Sequence, residues 1–571
     1  QYVRRKMSEK KLFARKATGL VREIGPLTAV IIILCNVMGL GWQKRIFQFT
    51  GAAPLPENLW VSGIPPMVMA FILGGIVILL SVFAFSILIA AMPRSGGGYV
   101  VISRLINPLA AFVASWWEFL TISWSFGIIA VAVFEGIFFI FGPIVGITGA
   151  GVTDIALFGG GLLLVALFTA IGSLGVRLAG YLLQTMFWIP AILTLYILYL
   201  LGTSLSNPSA LGAGITALGT AQGFNGVTAS TYVSTALSQG LDAANVGNYW
   251  AAVNTAMIGA YFAYVGYAAS TFVAGEVKEA NRTLPRVLLL SSVIIIFMYV
   301  LVSSLAAYAS AGLGRVTLPN GDVWSFFEAY AYMSYGAGHL ANTGLPVIKA
   351  WSTTIAGMTG IGLGLSNLNW LVLIFAIFWV ANDIPPFILT ASRLLFAMAF
   401  DRVLPNSLAN VNERFHSPVN ATVVTGIFAI LGCFSESGVL SNGGSWNPGG
   451  FLGGGLNFIF STGVGSTDIY DATFFSLFAL SLVLLPYRKS ATRIYETAPV
   501  KYGGKVGMTV IGIIGVIANL YLDYMIVSAE YQAFWMLLAT GVIAALIYLY
   551  YKYGKSREVD YSTIFAQIPP E

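Results

Sequence analysis

Ionisable side chains inside long apolar runs are the first residues in this chain placed to do chemistry. Asp383, in Asn382-Asp383-Ile384-Pro385-Pro386, lies in the outer half of an apolar run over 368–400. Lys44 and Arg45 lie in the run 26–50, about one turn beyond Met38-Gly39-Leu40-Gly41-Trp42. Glu118 follows Ser115-Trp116-Trp117, and Asp468 and Asp471 open the run 469–487. An isolated charge inside a bilayer is costly, so such groups mark pairing, proton relay or a ligand path. Backbone can act as well. Gly39-Leu40-Gly41 and Tyr264-Val265-Gly266-Tyr267 set glycine beside aromatics within apolar runs. A helix interrupted there exposes amides and carbonyls, which is tolerated only where protein or a cavity covers them.

The elements that carry these residues follow from composition. Of 571 residues, 57% are hydrophobic and 9% charged, and the mean hydropathy is +0.82. A soluble domain carries about 25% charged residues, so the chain reads as a polytopic membrane protein. Twelve runs are long enough to span, at about 20 residues each: 26–50, 66–92, 109–142, 153–173, 182–203, 250–275, 287–312, 368–400, 419–435, 469–487, 508–527 and 531–551. With the amino terminus inside, all but Lys44, Arg45, Arg315 and Lys349 of the 29 Lys and Arg fall on inner segments. That bias fixes the orientation and favours an even number of spans. The basic excess of +6 thus belongs to topology, and no nucleic-acid partner is expected. Cys35 and Cys433 lie in apolar runs, and His339 and His416 have no metal spacing, so neither disulfide nor metal site is expected. The outer segments 204–248, 313–367 and 436–467 exceed simple turns and are expected to carry short helices capping a vestibule.

The first and sixth runs are interrupted at corresponding places, five spans apart, which predicts an inverted five-plus-five repeat with discontinuous helices. A lone glycine could equally mark close helix packing. Four motifs then resemble one family. Gly39-Leu40-Gly41-Trp42 resembles the first-helix break of amino acid–polyamine–organocation permeases. Met92-Pro93-Arg94-Ser95-Gly96-Gly97-Gly98-Tyr99 resembles their signature after the second helix. Phe262-Ala263-Tyr264-Val265-Gly266-Tyr267, with Glu276-Val277-Lys278-Glu279-Ala280-Asn281 and Leu284-Pro285, resembles their sixth-helix signature. Ser392-Arg393 through Asp401-Arg402-Val403-Leu404-Pro405, with Ser417-Pro418, resembles the exit of the eighth helix. The resemblance covers about residues 20–490.

It implies an all-α fold of twelve spans, two of them beyond the repeat, that moves amino acids or related amines by alternating access. In that reading the amides of Gly39, Leu40 and Gly41 suit a carboxylate at the positive end of a helix. Carbonyls at Phe262, Ala263 and Val265 suit an ammonium group, with Gly266 giving the break. Tyr267 and Phe262 shape the pocket, Phe262 as a lid, and Phe387 faces it from the eighth helix. The chain also departs from the family pattern. Ala268 stands where many relatives have an acid, Gln184–Ala191 offers no lysine, and Pro386-Phe387 replaces helix-8 hydroxyls. The first departure favours neutral over cationic amino acids; all three leave open whether a proton, a sodium ion or exchange drives transport. No other cofactor and no catalysis are expected.

Two gates are expected. Lys44 or Arg45 pairs with Asp383, Asp468 or Asp471 on the outer side, Asp383 being the first choice for the coupling carboxylate. Glu118 binds a cation, relays a proton or makes a helix contact, and Glu135 snorkels. On the inner side Glu276, Arg393 and Asp401 form a network with Arg94 and Arg104. Fixed structural ion pairs are the alternative for both. The expected organisation is a basic cytoplasmic tail (1–23), a first repeat (24–203), an outer loop (204–248), a second repeat (249–490), two last helices with their loop (491–552) and a second cytoplasmic tail (553–571). The protein is expected in the plasma membrane among lipids. A sensor or scaffold that binds without transport, or a channel, is the other reading; no repeated filter sequence appears.

Overall fold

A computed structural model describes residues 20, 22–138, 152–336, 340, 343–346, 348–555 and 564–565. Most of both predicted tails, His339, and the predicted end of the third run (139–142) lie outside them. Among the described residues, eleven helices are long and apolar enough to cross a membrane, from Pro26–Ala52 to Tyr531–Gly554. The sixth predicted span is present in pieces: Tyr249–Tyr264, Ala269–Phe272 and a 3-10 turn Ala274–Glu276. Outer and inner denote the sides assigned from charge.

Burial sorts the helices into a centre and a rim. In the third helix, Pro108–Gly136, 94% of the apolar window is buried, against 28% in Tyr531–Gly554. The rim helices expose leucine and isoleucine, such as Leu163, Ile192, Leu195 and Ile517. A bilayer covers such side chains at no cost. The first, third, eighth and tenth helices are largely buried, and Lys44, Arg45, Glu118, Asp383, Asp468 and Asp471 all lie in the interior.

The outer segments hold the expected short helices: Pro208–Ala221, Ala229–Ser238, Phe326–Tyr335, Ser352–Gly362 and Gly450–Ser461. One small departure from an all-helical chain lies among them, a hairpin pairing Val316–Thr317 with Val323–Trp324. Phe326–Tyr335 begins with a capping box in which Glu328 accepts from the Ser325 N–H and hydroxyl. Its residues pack on the outer half of the first helix: Phe327 meets Phe47 edge to face at 5.9 Å.

Candidate functional site

Both interrupted helices break where the glycines stand. In the first, α-helix ends at Val37, and the Gly39 N–H turns back to the Val37 carbonyl at 2.9 Å. The chain resumes as a π-wound turn, Gly41–Arg45, and an α-helix, Ile46–Ala52. In the sixth, Val265 turns extended at ψ 134° and Gly266 takes φ +94°, a conformation glycine adopts without strain.

The two breaks touch. A Cβ on Gly41 would collide with Ala263, and one on Gly266 with Asn36. The Tyr299 hydroxyl, from the seventh helix, reaches across to both, contacting the Val37 carbonyl and the Ala263 carbonyl, the latter at 2.7 Å. Sequence reasoning missed Tyr299, because a tyrosine in an apolar run carries no motif. Two carbonyls expected to be free are therefore engaged: Ala263 with Tyr299, and Phe262 with the Val265 N–H at 3.3 Å.

Asp383 stands over the first break. It lies between the helices Asn369–Ala381 and Ile384–Phe400, and is 3% exposed. Its carboxylate fills the space a Cβ on Gly39 would need, and it accepts from the Leu40 N–H. Pro385 and Pro386, at the start of the second segment, have no N–H to give the carbonyls before them. Phe387 follows one turn on; it is buried, and its N–H bonds the Asp383 carbonyl at 3.2 Å. Tyr267 stacks with Phe85 at 5.9 Å and meets Phe475 at 5.0 Å, in an aromatic cluster toward the second and tenth helices.

The outer ion pairs differ from those expected. Lys44 bonds Glu135 and, at 2.6 Å, Glu436; Arg45 bonds Glu436 at 2.5 Å and Gln48 at 2.6 Å. Lys349 also bonds Glu135. The partners are glutamates of the third and ninth helices, not the three aspartates. Glu135 is buried between two lysines, so it does not snorkel. The geometric reason is direction: Lys44 and Arg45 lie beyond the break and face the third and ninth helices, whereas Asp383 faces the break itself. Arg45 also covers the Phe262 ring at 5.1 Å from its centroid, pinning the expected lid. Asp468 lies within electrostatic range of Arg45.

A separate acid pair occupies the centre. Glu118 and Asp471, both buried, lie within electrostatic range of each other, and the Tyr261 hydroxyl donates to Asp471 at 2.6 Å. Tyr261 ends one turn before the sixth-helix break, so this pair touches the helix that breaks.

On the inner side Arg393 grips Glu276 through two bonds, 2.8 and 3.1 Å, both side chains buried. Arg104 grips Asp401 at 2.5 and 3.0 Å. Arg94 donates to the Pro93 carbonyl at 3.1 Å. The quoted motifs converge here. The Gly96 N–H bonds the Phe272 carbonyl at 2.9 Å, and a Cβ on Gly96 would strike Ala397. Ile24 and the exit of the sixth helix bridge in parallel, Ile24 N–H to Glu276 at 3.0 Å and Lys278 N–H to Ile24 at 2.9 Å. Beside that strap lies a cleft of about 300 Å³ lined by Ile24, Thr28, Gln184, Lys278 and Leu389.

Comparison with known proteins agrees with this architecture. The amino acid permease family matches residues 24–553. The chain therefore belongs to the amino acid permease family. An uncharacterized transporter of Mycobacterium bovis is 24% identical over 411 residues, 71% of this chain and 72% of that protein. The human Asc-type amino acid transporter 1 is 31% identical over 106 residues, and the match spans 18% of either chain. The crystal structure of MhsT in complex with L-phenylalanine superposes with a TM-score of 0.52 at 14% identity, covering 89% of this chain and 99% of that one. At that identity the likeness concerns the fold.

Proposed function

We propose that this permease is a secondary active transporter that carries amino acids or related amines by alternating access, from a site at the two helix breaks. The observation that carries the reading is their meeting, Gly41 against Ala263 and Gly266 against Asn36, in the buried centre with an ionic closure on either side. Broken helices in contact offer backbone charge complementarity without permanent charges. Gly39, Leu40, Gly41, Val265 and Gly266 supply backbone, and Phe262, Ala263, Tyr267 and Phe387 shape the site. Ala268 leaves the sixth helix without an acid, which favours neutral side chains. The Lys44, Arg45, Glu135 and Glu436 cluster is the outer gate, with Asp468 beside it. Glu276–Arg393 and Arg104–Asp401, flanked by Arg94, are the inner gate.

The five-plus-five inverted repeat, the two further helices, and cytoplasmic termini in the plasma membrane complete the reading; its support is the charge bias and the matched breaks. Coupling to a proton falls on carboxyl groups. Glu118 and Asp471 lie near each other in the buried centre, and Tyr261 links Asp471 to the interrupted sixth helix. That placement favours the pair over Asp383, which belongs to the break. Counterflow in proteoliposomes tests the function. Vesicles loaded with unlabelled substrate should accumulate labelled substrate transiently above equilibrium. Binding with no accumulation would indicate a sensor; equilibration without overshoot would indicate a channel.

A further inference from the structure

The substrate site of such a permease is expected to leave helix-1 amides open for the carboxylate of an amino acid. Here a side chain of the protein already sits on one of them. Asp383 accepts from the Leu40 N–H and fills the space beside Gly39. Glycine at 39 is what allows this approach: any Cβ there would displace the carboxylate.

The seat is filled, yet among the described residues its acceptors are not all used. Asp383 Oδ1 accepts no hydrogen bond. Among the described residues its electrostatic neighbours are the Leu40 amide, the Tyr299 hydroxyl and the Cys35 thiol, none of them a cation. Lys44 and Arg45, the nearest bases along the chain, are bound to Glu135 and Glu436. Nearby acceptors are also under-supplied. Tyr299 brings one proton to two carbonyls, Val37 and Ala263. Among the described residues the Oδ1 atoms of Asn382 and Asn36 accept no hydrogen bond, and both residues are buried. Buried carboxylates persist when paired or hydrogen-bonded, so this cluster would be completed by donors that carry positive charge. An ammonium group brings both, with three N–H donors.

We propose that Asp383 serves as the carboxylate of the site and that the preferred substrate is a primary amine without a carboxylate of its own. A zwitterion would bring a second anion to amides that Asp383 occupies, at a distance where like charges repel. This inference rests on the permease reading and narrows its substrate class from amino acids or related amines to the amines. Asp383 would hold the ammonium directly, with the carbonyls near Tyr299 completing its shell.

The test compares matched pairs on the purified full-length protein: phenethylamine with phenylalanine, isoamylamine with leucine, and agmatine with arginine. Binding is read by thermal shift and by competition against labelled phenethylamine. The expected result is at least a ten-fold preference for the amine of one pair, lost in Asp383→Asn. In Asp383→Ala, which vacates the amides, the preference should invert toward the amino acid. Equal or tighter binding of the amino acid by the unaltered protein would overturn the inference and leave the permease reading standing, whether or not the variants fold. Failure of every pair to bind or to drive counterflow would overturn both.

Discussion

The outer and inner ionic closures are built on different plans. The inner one is made of separate pairs: Arg393 binds Glu276, and Arg104 binds Asp401, each through two bonds. The outer one is a shared cluster in which three cations, Lys44, Arg45 and Lys349, divide two carboxylates, Glu135 and Glu436. A pair fails when one member is lost, because the other is left buried and uncompensated. A cluster loses one bond and keeps others. The outer closure also rides on the interrupted first helix, one turn past the Gly39–Gly41 break. The inner closure joins the exits of the sixth and eighth helices. Movement of the first helix would thus load the outer cluster directly, while the inner pairs yield all at once.

Removing single partners should separate the two plans. Glu276→Ala strands Arg393, which is fully buried, and should cost about 3–5 kcal/mol; thermal unfolding should show a large drop, with uptake lost. A small loss would mean the pair is not the sole compensation of Arg393.

The cap over the outer cluster should respond to pH. Glu328 lies outside the spanning helices, and burial, with the nearby Glu57 charge, raises its carboxyl to about 8, against the hydrogen bonds from Ser325. Glu57 is itself paired with Arg315 at 2.9 Å. The folded protein therefore holds a proton on Glu328 that the unfolded chain gives up near 4.5. Its contribution is fully present below the unfolded value and is lost as pH rises toward 8, by a few kcal/mol in order of magnitude. Unfolding midpoints measured across that window should fall with pH, and Glu328→Gln should flatten the slope. An unchanged slope would remove Glu328 from the account.

The cluster itself should be more forgiving. Glu436→Gln leaves Lys44 with Glu135 and Arg45 with Gln48, so the loss should be about 1–3 kcal/mol. Lys349→Ala should have the smallest effect, under about 1 kcal/mol, because its side chain is 29% exposed and Glu135 keeps Lys44. Calorimetry on the two variants orders them; a larger loss for Lys349→Ala would contradict the shared-cluster description.

What could be read in the sequence was local. Gly39, Gly41 and Gly266 announced the breaks because a glycine beside aromatics in an apolar run is a backbone signal, and the breaks fall there. The helices carrying Asp383, Glu118 and Asp471 were legible from hydropathy. Partner choice was not. Glu436 lies 392 residues from Lys44, just past the apolar run 419–435, and no motif marks it. Tyr299 lies 36 residues from Ala263, and nothing in its neighbours marks a hydroxyl that bridges two breaks. The expected pairing of Asp383 with Lys44 or Arg45 does not form: Asp383 lies against Gly39, and the two bases pair with Glu135 and Glu436. Which face of a helix meets which neighbour depends on packing across the bundle, and apolar spans offer little amphipathic pattern to fix it.

The central claim is that the two closures open in turn around the helix breaks. Distances measured by paired spin labels on both sides of one protein test it most directly. Ser234→Cys with Asn442→Cys reports the outer side, and Arg282→Cys with Asn406→Cys the inner side; all four positions are exposed, while the native Cys35 and Cys433 are buried. In proteoliposomes, adding substrate or changing pH should lengthen one distance as the other shortens. Distances that stay fixed, or that lengthen together, would contradict the account.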